Sequence, residues 1–228
     1  MTQLEALRPP DLPGDVWLRF CNLDDDRDIA LSEARDALSS KETARADRFR
    51  FERDAYRYIR GRGFVRQQLG RALSCAAKDV PLIEAPKGKP ALAGPGPGFN
   101  LSHSAGLAVL ALRQNGPIGV DLELDRGLDP LKIAPACFQA HEIAALEAQK
   151  EALSQRALFL TYWTAKEALM KLTGEGMALD PKAISLRLQG THPTGFDAPA
   201  PHRTVHLCQP DLGPGRTMAL AWNTAQDT

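Results

Sequence analysis

Two carboxylates project from one predicted strand near the middle of the chain. Val120, Leu122 and Leu124 alternate with Asp121 and Glu123, which is the period of a half-buried strand. Residues two apart lie on the same face of a strand, so the two carboxylates project together. Paired carboxylates repel each other unless a cation lies between them, and Mg2+ binds carboxylate, water and phosphate oxygens. The pattern predicts a metal site or, alternatively, the solvated face of an edge strand.

A further carboxylate and a lysine lie on a predicted helix. Apolar residues recur along one face of this helix at Leu158, Tyr162, Ala165, Leu169 and Leu172. Glu167 and Lys171 are one turn apart and lie outside that buried stripe. One interpretation is a surface ion pair, which contributes about 0.3–0.5 kcal/mol. The functional alternative is a third metal-binding carboxylate beside an ammonium that neutralises phosphate. Gly174 and Gly176 predict the end of the helix.

A serine and a histidine lie at the end of another short strand. Ser102 and His103 precede a predicted turn at Ser104, and the apolar segment 107–112 then predicts the return strand of a hairpin. No aspartate stands in register with His103, and no nucleophile elbow is present. The residues therefore argue against a Ser-His-Asp hydrolase, and a structural role is the simpler interpretation of the histidine.

Taken in order and spacing, three segments resemble the 4′-phosphopantetheinyl transferases of the surfactin-type, pseudo-dimeric branch. They are residues 99–104, 118–123 and 163–171, and the resemblance extends over roughly residues 41–190. It implies an α+β fold of two similar halves, each a helix packed on a three-stranded antiparallel sheet. Residues 1–115 would bind coenzyme A, residues 116–228 would carry the metal and the catalytic residues, and the active site would lie in the seam. The implied reaction transfers phosphopantetheine from coenzyme A to a serine of an acyl or peptidyl carrier protein.

The resemblance also implies a role for individual residues. Asp121, Glu123 and Glu167 would hold Mg2+. Glu167, Lys171 and His103 would be catalytic, with Glu167 as the proposed base. The residues implied to bind coenzyme A are Ser102, His103 and Lys171 at the phosphates, Arg45, Arg53 and Arg57 at the 3′-phosphate, and Lys87, Lys89 and Pro90 near the adenine.

Two other functions use the same residues. A Mg2+-dependent phosphohydrolase would direct the three carboxylates towards water and release phosphate without a carrier protein. A non-catalytic module would bind coenzyme A or a carrier protein and would tolerate loss of the carboxylates. The complete set of Asp121, Glu123, Glu167 and Lys171 argues against the second alternative.

Charge is balanced overall but unevenly distributed. The chain has 28 Lys and Arg against 28 Asp and Glu, which argues against a nucleic-acid partner. Residues 41–71 contain ten bases and four acids, whereas residues 121–151 contain seven acids and three bases. A basic patch that faces an acidic one suits a phosphate-rich ligand with Mg2+. Solvated helix faces would give the same composition.

The cysteines and the hydropathy predict where the protein is found. The four cysteines show no spacing typical of zinc sites and indicate a reducing compartment. Residues 1–15 lack the apolar core of a signal sequence, and no apolar run reaches 18 residues. We therefore expect a cytoplasmic monomer without a membrane partner.

Periodicity predicts a helix followed by three strands in each half. In the first half, an opening strand at 16–20 precedes helices at 32–47 and 54–77, a connector at 86–98 without regular structure, and a three-stranded meander that runs through Glu123. In the second half, helices at 140–150 and around Glu167 precede strands at 184–188, 205–208 and 218–222, with a surface loop at 191–202.

Overall fold

The computed structural model describes residues 12–85, 87–197 and 205–223, without the side chain of Met177. The first half contains β1 (Val16–Asn22), α1 (Leu31–Asp36), α2 (Ser40–Ala46), α3 (Glu52–Leu73), β2 (Leu82–Glu84), β3 (Pro90–Leu92), β4 (Gly98–Ser104) and β5 (Leu107–Arg113). The second half contains β6 (Ile118–Leu124), α4 (Pro130–Cys137), α5 (Ala140–Glu147), α6 (Ala152–Thr173), β7 (Ser185–Gln189), β8 (His192–Asp197), β9 (Val205–Cys208) and β10 (Arg216–Asn223).

The two halves have the same topology. The described strands form antiparallel three-stranded sheets in the orders β1-β5-β4 and β6-β10-β9, and the hairpins β2-β3 and β7-β8 occupy equivalent places in the chain. Each half thus runs strand, three helices, hairpin and two strands. This arrangement confirms the predicted α+β fold of two similar halves.

One prediction of strand order is wrong. The strand that carries Asp121 was expected to complete the meander of the first half, but β6 pairs with β10, with Asp121 opposite Ala219. The second half therefore opens with β6 before its helices, as the first half opens with the predicted strand β1, and neither half is simply a helix followed by three strands. Alternation identifies a strand but not the neighbour with which it pairs, because the same pattern suits either sheet.

Other differences concern short elements. The predicted helix at 32–47 is divided into α1 and α2, since Ser39 leaves the helical conformation and caps α2. Strand β3 lies within the connector predicted to be irregular, and β8 lies within the predicted loop at 191–202. Pro86 and residues 198–202 of these two segments are outside the described residues. Such hairpins depend on cross-strand pairing, which local composition does not show.

The two halves repeat one buried ion pair. Glu42 and Glu142 each complete a capping box, at the starts of α2 and α5. Glu42 accepts a hydrogen bond from Arg66 of α3 at 2.7 Å, and Glu142 accepts one from Lys166 of α6 at 2.6 Å. The side chains of Glu142 and Lys166 are fully buried. This contact anchors each long helix to the shorter helix before it, and loss of one partner leaves a buried charge, at a cost of about 3–5 kcal/mol.

Three apolar clusters form the core. One lies between α3 and the first sheet, and a second lies between α6 and the second sheet. The third joins the halves, because Val16 and Phe20 of β1 belong to the same cluster as Val120 and Leu122 of β6. The predicted stripe of α6 lies in the second cluster, including the fully buried Tyr162. No helix among the described residues combines the length and the apolar character needed to cross a membrane.

Gly119 permits a close approach between α6 and β6. A Cβ atom at this position would overlap the carbonyl oxygen of Ala168 and lie 2.5 Å from the backbone nitrogen of Leu172. Both obstacles are helix backbone, so no rotamer change relieves them. The glycine therefore allows α6 to pack directly on the strand that carries Asp121.

Replacing Gly119 with alanine should push α6 away from β6. We expect Gly119→Ala to lower the free energy of unfolding by about 1–3 kcal/mol, as overpacking does, and to lower any activity that depends on α6 and β6 together. Gly94→Ala is the matched control, because a Cβ atom at Gly94 meets nothing within 4 Å, and its effect should stay within about 0.5 kcal/mol. Urea unfolding measures both. Equal stabilities of the two variants would contradict the close approach.

Candidate active site

Strands β4 and β6 are joined by side chains rather than by backbone pairing. Three polar side chains of β4 accept hydrogen bonds from alternate N–H groups of β6: Asn100 Oδ1 from Val120 at 2.9 Å, Ser102 Oγ from Leu122 at 3.1 Å and Ser104 Oγ from Leu124 at 3.2 Å. Buried N–H groups require such partners. These bonds connect the two sheets at the seam between the halves.

The two serine hydroxyls also hold the carboxylates of β6. Ser102 Oγ donates to Asp121 Oδ1 at 2.9 Å, and Ser104 Oγ donates to Glu123 Oε2 at 2.7 Å. Each hydroxyl therefore accepts from a backbone N–H group and donates to the neighbouring carboxylate, as a hydroxyl can. Ser102, for which the family resemblance implies a contact with the phosphates of coenzyme A, forms hydrogen bonds with Asp121, Leu122 and Lys171 in this structure.

Lys171 of α6 completes this cluster. Its Nζ donates to Asp121 Oδ1 at 2.6 Å and to Ser102 Oγ at 2.9 Å. The ion pair of Lys171 is thus with Asp121 across the helix–strand contact, and not with Glu167 one turn earlier. Helical periodicity places Glu167 and Lys171 on one face of α6. The packing of α6 on β6 then places the ammonium of Lys171 beside Asp121.

Glu167 shares the electrostatic environment of the two strand carboxylates. Partial burial raises the pKa of Glu167, and the negative charge of Asp121 and then that of Glu123 raise it further, while Lys171 opposes them. Asp121, Glu123 and Lys171 therefore lie close enough to Glu167 to affect its charge. The repulsion between Asp121 and Glu123 stays a prediction.

Carboxylate oxygens are ligands that a hard cation prefers, although these side chains are not already arranged around a metal site. Among the described residues no group of three or more His, Cys, Asp or Glu side chains is placed to hold a metal ion. Asp121 is 3% exposed, and its Oδ2 is buried without a hydrogen-bond partner among these residues. An orphaned carboxylate oxygen beside two more carboxylates is a donor set that Mg2+ accepts.

A large groove opens beside this cluster and is lined by both halves. Its volume is about 1180 Å³. The basic residues of its described lining are Lys41, Arg45, Arg48, Arg57, Arg62, Arg66 and Arg126, and the acidic ones are Glu42, Asp54, Glu84 and Glu123. Seven cationic side chains against four carboxylates favour an anionic ligand. His103 and Ser104 of β4 also line the groove.

The predicted arginines occupy three different environments. Arg45 lines the groove with its guanidinium 5.3 Å from the ring centre of Tyr58. Arg57 also lines it and binds Asp24 with two hydrogen bonds, at 2.6 and 2.9 Å. Arg53 is not among the lining residues and lies 3.5 Å from Asp54. Arg48, which the sequence analysis did not select, lines the groove.

The residues of the turn between β2 and β3 that were predicted to bind coenzyme A also lie in different environments. Pro90 lines the groove, whereas Lys87 is exposed and is not among the described lining residues. Lys89 donates from Nζ to the carbonyl oxygens of Lys171 and Leu172, at 2.5 and 3.2 Å. Partial burial lowers the pKa of Lys89 to about 8.

His103 lies at the groove with an exposed edge. Removal of part of the ring from water lowers its pKa, and the positive charges of Lys171 and Arg57 lower it further. The imidazole is therefore neutral at pH 7 and retains one N–H donor.

Sequence reasoning missed Asn100 and Ser104 as partners of β6. The signal was present in the alternation of Asn100, Ser102 and Ser104 along one strand face, because three polar residues on one buried face require partners. Their partners were not visible, since β6 was assigned to the wrong sheet.

Comparisons with known proteins agree with this arrangement. A model of the 4′-phosphopantetheinyl transferase superfamily matches residues 117–212, and a model of the 4′-phosphopantetheinyl transferase N-terminal region matches residues 27–115. The 4′-phosphopantetheinyl transferase HetI of Nostoc sp. is 37% identical over 202 residues, which cover 85% of this chain and 84% of that protein. The 4′-phosphopantetheinyl transferase Sfp of Bacillus subtilis is 29% identical over 184 residues, or 80% and 81% of the two chains. The 4′-phosphopantetheinyl transferase AcpT of Salmonella typhimurium is 38% identical over 108 residues, or 46% and 54%. Since these matches extend over both halves, the chain belongs to the 4′-phosphopantetheinyl transferase superfamily.

Proposed function

We propose that this enzyme transfers the 4′-phosphopantetheine group of coenzyme A to a serine of an acyl or peptidyl carrier protein, with release of 3′,5′-ADP. The observation that carries the proposal is the cluster of Lys171, Asp121 and Ser102 beside a cation-lined groove. The relatives HetI, Sfp and AcpT are all named as transferases of this group.

In this proposal the two halves of the chain have different roles. Residues 1–115 supply most of the groove lining and bind coenzyme A, whereas residues 116–228 supply Asp121, Glu123, Glu167 and Lys171. Arg45, Arg48 and Arg57 are the candidates for the 3′-phosphate, and Pro90 is the candidate beside the adenine. Because one chain supplies both sides of the groove, we also propose that the enzyme acts as a monomer. The balance of 28 basic and 28 acidic side chains supports the absence of a nucleic-acid partner, and we propose a cytoplasmic location without a membrane partner.

Asp121, Glu123 and Glu167 are the residues that would hold Mg2+. The orphaned Oδ2 of Asp121 supports this assignment, as does the position of Glu167, whose pKa is raised by burial and then by the negative charge of Asp121. When bound, the ion would neutralise charge that develops on the 3′,5′-ADP leaving group.

The residues of the chain account for the remaining chemistry. The serine oxygen of the carrier protein attacks the β-phosphorus, the bond from this phosphorus to the bridging oxygen breaks, and 3′,5′-ADP leaves with the electron pair. Glu167 accepts the serine proton, although a carboxylate that also holds a cation is a weak base. A weak base suffices, because the nucleophile in a loose transition state loses its proton late. Lys171 and His103 contribute a positive charge and an N–H donor to the phosphates.

Intact-mass measurement tests the reaction directly. Incubated with coenzyme A, Mg2+ and a panel of apo carrier proteins, the enzyme should add the mass of one phosphopantetheine to at least one carrier, and a chelator should stop the addition. Phosphate release from coenzyme A without any gain in carrier mass would favour the hydrolase. Binding of coenzyme A with neither reaction would favour the non-catalytic module.

Removal of Lys171 separates catalysis from stability. Lys171→Met should lower the transfer rate about a hundredfold, as loss of a transition-state charge contact does. It should also lower the free energy of unfolding by about 1–3 kcal/mol, because Asp121 keeps a buried carboxylate without its ammonium partner.

The double variant Asp121→Asn/Lys171→Met is the control for this experiment. It removes both charges, so it should regain stability while remaining inactive. Stopped-assay rates and urea unfolding measure the two effects. Recovery of transfer in the double variant would show that Lys171 only compensates the buried charge.

The arginines that line the groove predict that the enzyme distinguishes ligands with a 3′-phosphate from ligands without one. Coenzyme A should bind at least about tenfold more tightly than 3′-dephospho-coenzyme A, since a charge-assisted hydrogen bond contributes about 1.5–3 kcal/mol. Arg45→Ala or Arg48→Ala should reduce this ratio, as measured by calorimetry. Arg53→Ala is the matched control, because Arg53 does not line the groove. A ratio reduced by Arg53→Ala and unaffected by the other two would overturn this assignment.

A further inference from the structure

Lys89 is held in a fixed place by a tight turn of the first half. The carbonyl oxygen of Lys89 accepts a hydrogen bond from the N–H group of Ala85 at 2.9 Å, and that of Ala85 accepts one from Gly88 at 2.7 Å. Gly88 has a φ of +84°, a conformation that favours glycine. The turn joins β2 to β3, which pair at Glu84 and Pro90.

The ammonium of Lys89 reaches the end of α6 in the other half. The last four carbonyl groups of a helix have no partner within the helix, and those of Lys171 and Leu172 accept hydrogen bonds from Lys89 Nζ. A positive charge is also favourable at the negative end of the helix dipole. Lys89 therefore caps the last turn of α6 from a distance of 82 and 83 residues along the chain.

Lys171 takes part both in this contact and in the cluster with Asp121 and Ser102. The backbone carbonyl of Lys171 is bound by Lys89, and its side chain is bound to Asp121 and Ser102. The position of the last turn of α6 consequently sets where the Lys171 ammonium lies.

The same hairpin forms part of the groove wall. Leu82, Ile83, Glu84, Gly88 and Pro90 line the groove, whereas Lys89 is not among the described lining residues. The β2–β3 hairpin thus presents one set of residues to the groove and Lys89 to α6.

We propose that Lys89 is a positioning residue, which couples the groove wall of the first half to the placement of Lys171 in the second. This inference rests on the proposed transfer reaction and adds to it. A ligand seated against the hairpin would fix the hairpin, Lys89 would fix the last turn of α6, and Lys171 would remain at Asp121. Lys89 acts through Lys171 and does not touch the reacting atoms.

The test compares Lys89 with an exposed lysine to which no site role is assigned. Lys89→Met removes the charge and the donors while it keeps an apolar stem, and Lys150→Met makes the same change at an exposed position outside the described groove lining. Lys89→Gln, which keeps N–H donors on a shorter stem, serves if Lys89→Met does not fold. Transfer kinetics give kcat, calorimetry gives the affinity for coenzyme A, and hydrogen exchange reports on residues 165–176.

Lys89→Met should lower kcat at saturating coenzyme A at least about tenfold, while the dissociation constant for coenzyme A changes less than about threefold. Exchange of the amides in the last turn of α6 should accelerate in this variant. Lys150→Met should leave all three quantities unchanged.

Two results would overturn the proposal. Weaker binding of coenzyme A with an unchanged kcat would make Lys89 a direct ligand contact. An unchanged kcat and unchanged exchange in the last turn of α6, with a lower melting temperature, would make it a structural residue only. A wild-type enzyme that modifies no carrier protein would instead contradict the transfer reaction, and the exchange comparison would still decide whether Lys89 holds α6.

Discussion

At the centre of this molecule the two sheets are joined by hydrogen bonds from backbone to side chain, rather than by backbone pairing between β4 and β6. Along β6, alternate N–H groups are bound by Asn100, Ser102 and Ser104 of β4. Ordinary backbone pairing would satisfy the same donors but would place no hydroxyl beside Asp121 and Glu123. Because a hydroxyl accepts and donates at once, the two serines complete the strand and orient its carboxylates with the same atoms. The seam and the candidate active site are consequently one structure.

The contact between α6 and β6 adds a lysine to the serines of β4 and the carboxylates of β6. Gly119 lets the helix backbone approach the strand, Lys171 neutralises Asp121, and Lys89 binds the end of the helix from the other half. Like charges still accumulate there, because the pKa of Glu167 is raised by burial and then by the negative charges of Asp121 and Glu123. Such repulsion is unfavourable for folding and favourable for cation binding, and active sites commonly combine the two.

The two halves share a scaffold and differ in charge. The ion pairs Glu42–Arg66 and Glu142–Lys166 hold the long helices in equivalent ways. The groove cations, however, come mainly from the first half, and the carboxylates of the cluster come from the second. The seam thus places a cationic groove beside a cluster of carboxylates, a distribution of charge that suits a phosphate-rich ligand together with a divalent cation.

The sequence by itself indicated most of the longer strands, the long helices, the family and the candidate side chains Asp121, Glu123, Glu167 and Lys171, since periodicity and local motifs reside in neighbouring residues. It did not determine that β6 pairs with β10, that Lys171 binds Asp121 rather than Glu167, or that Lys89 caps α6. It also did not separate Arg45 from Arg53, two arginines that differ in whether they line the groove. These outcomes depend on contacts between residues far apart in the chain. Only tertiary packing decides them, because it selects which of several chemically equivalent partners comes within hydrogen-bonding distance.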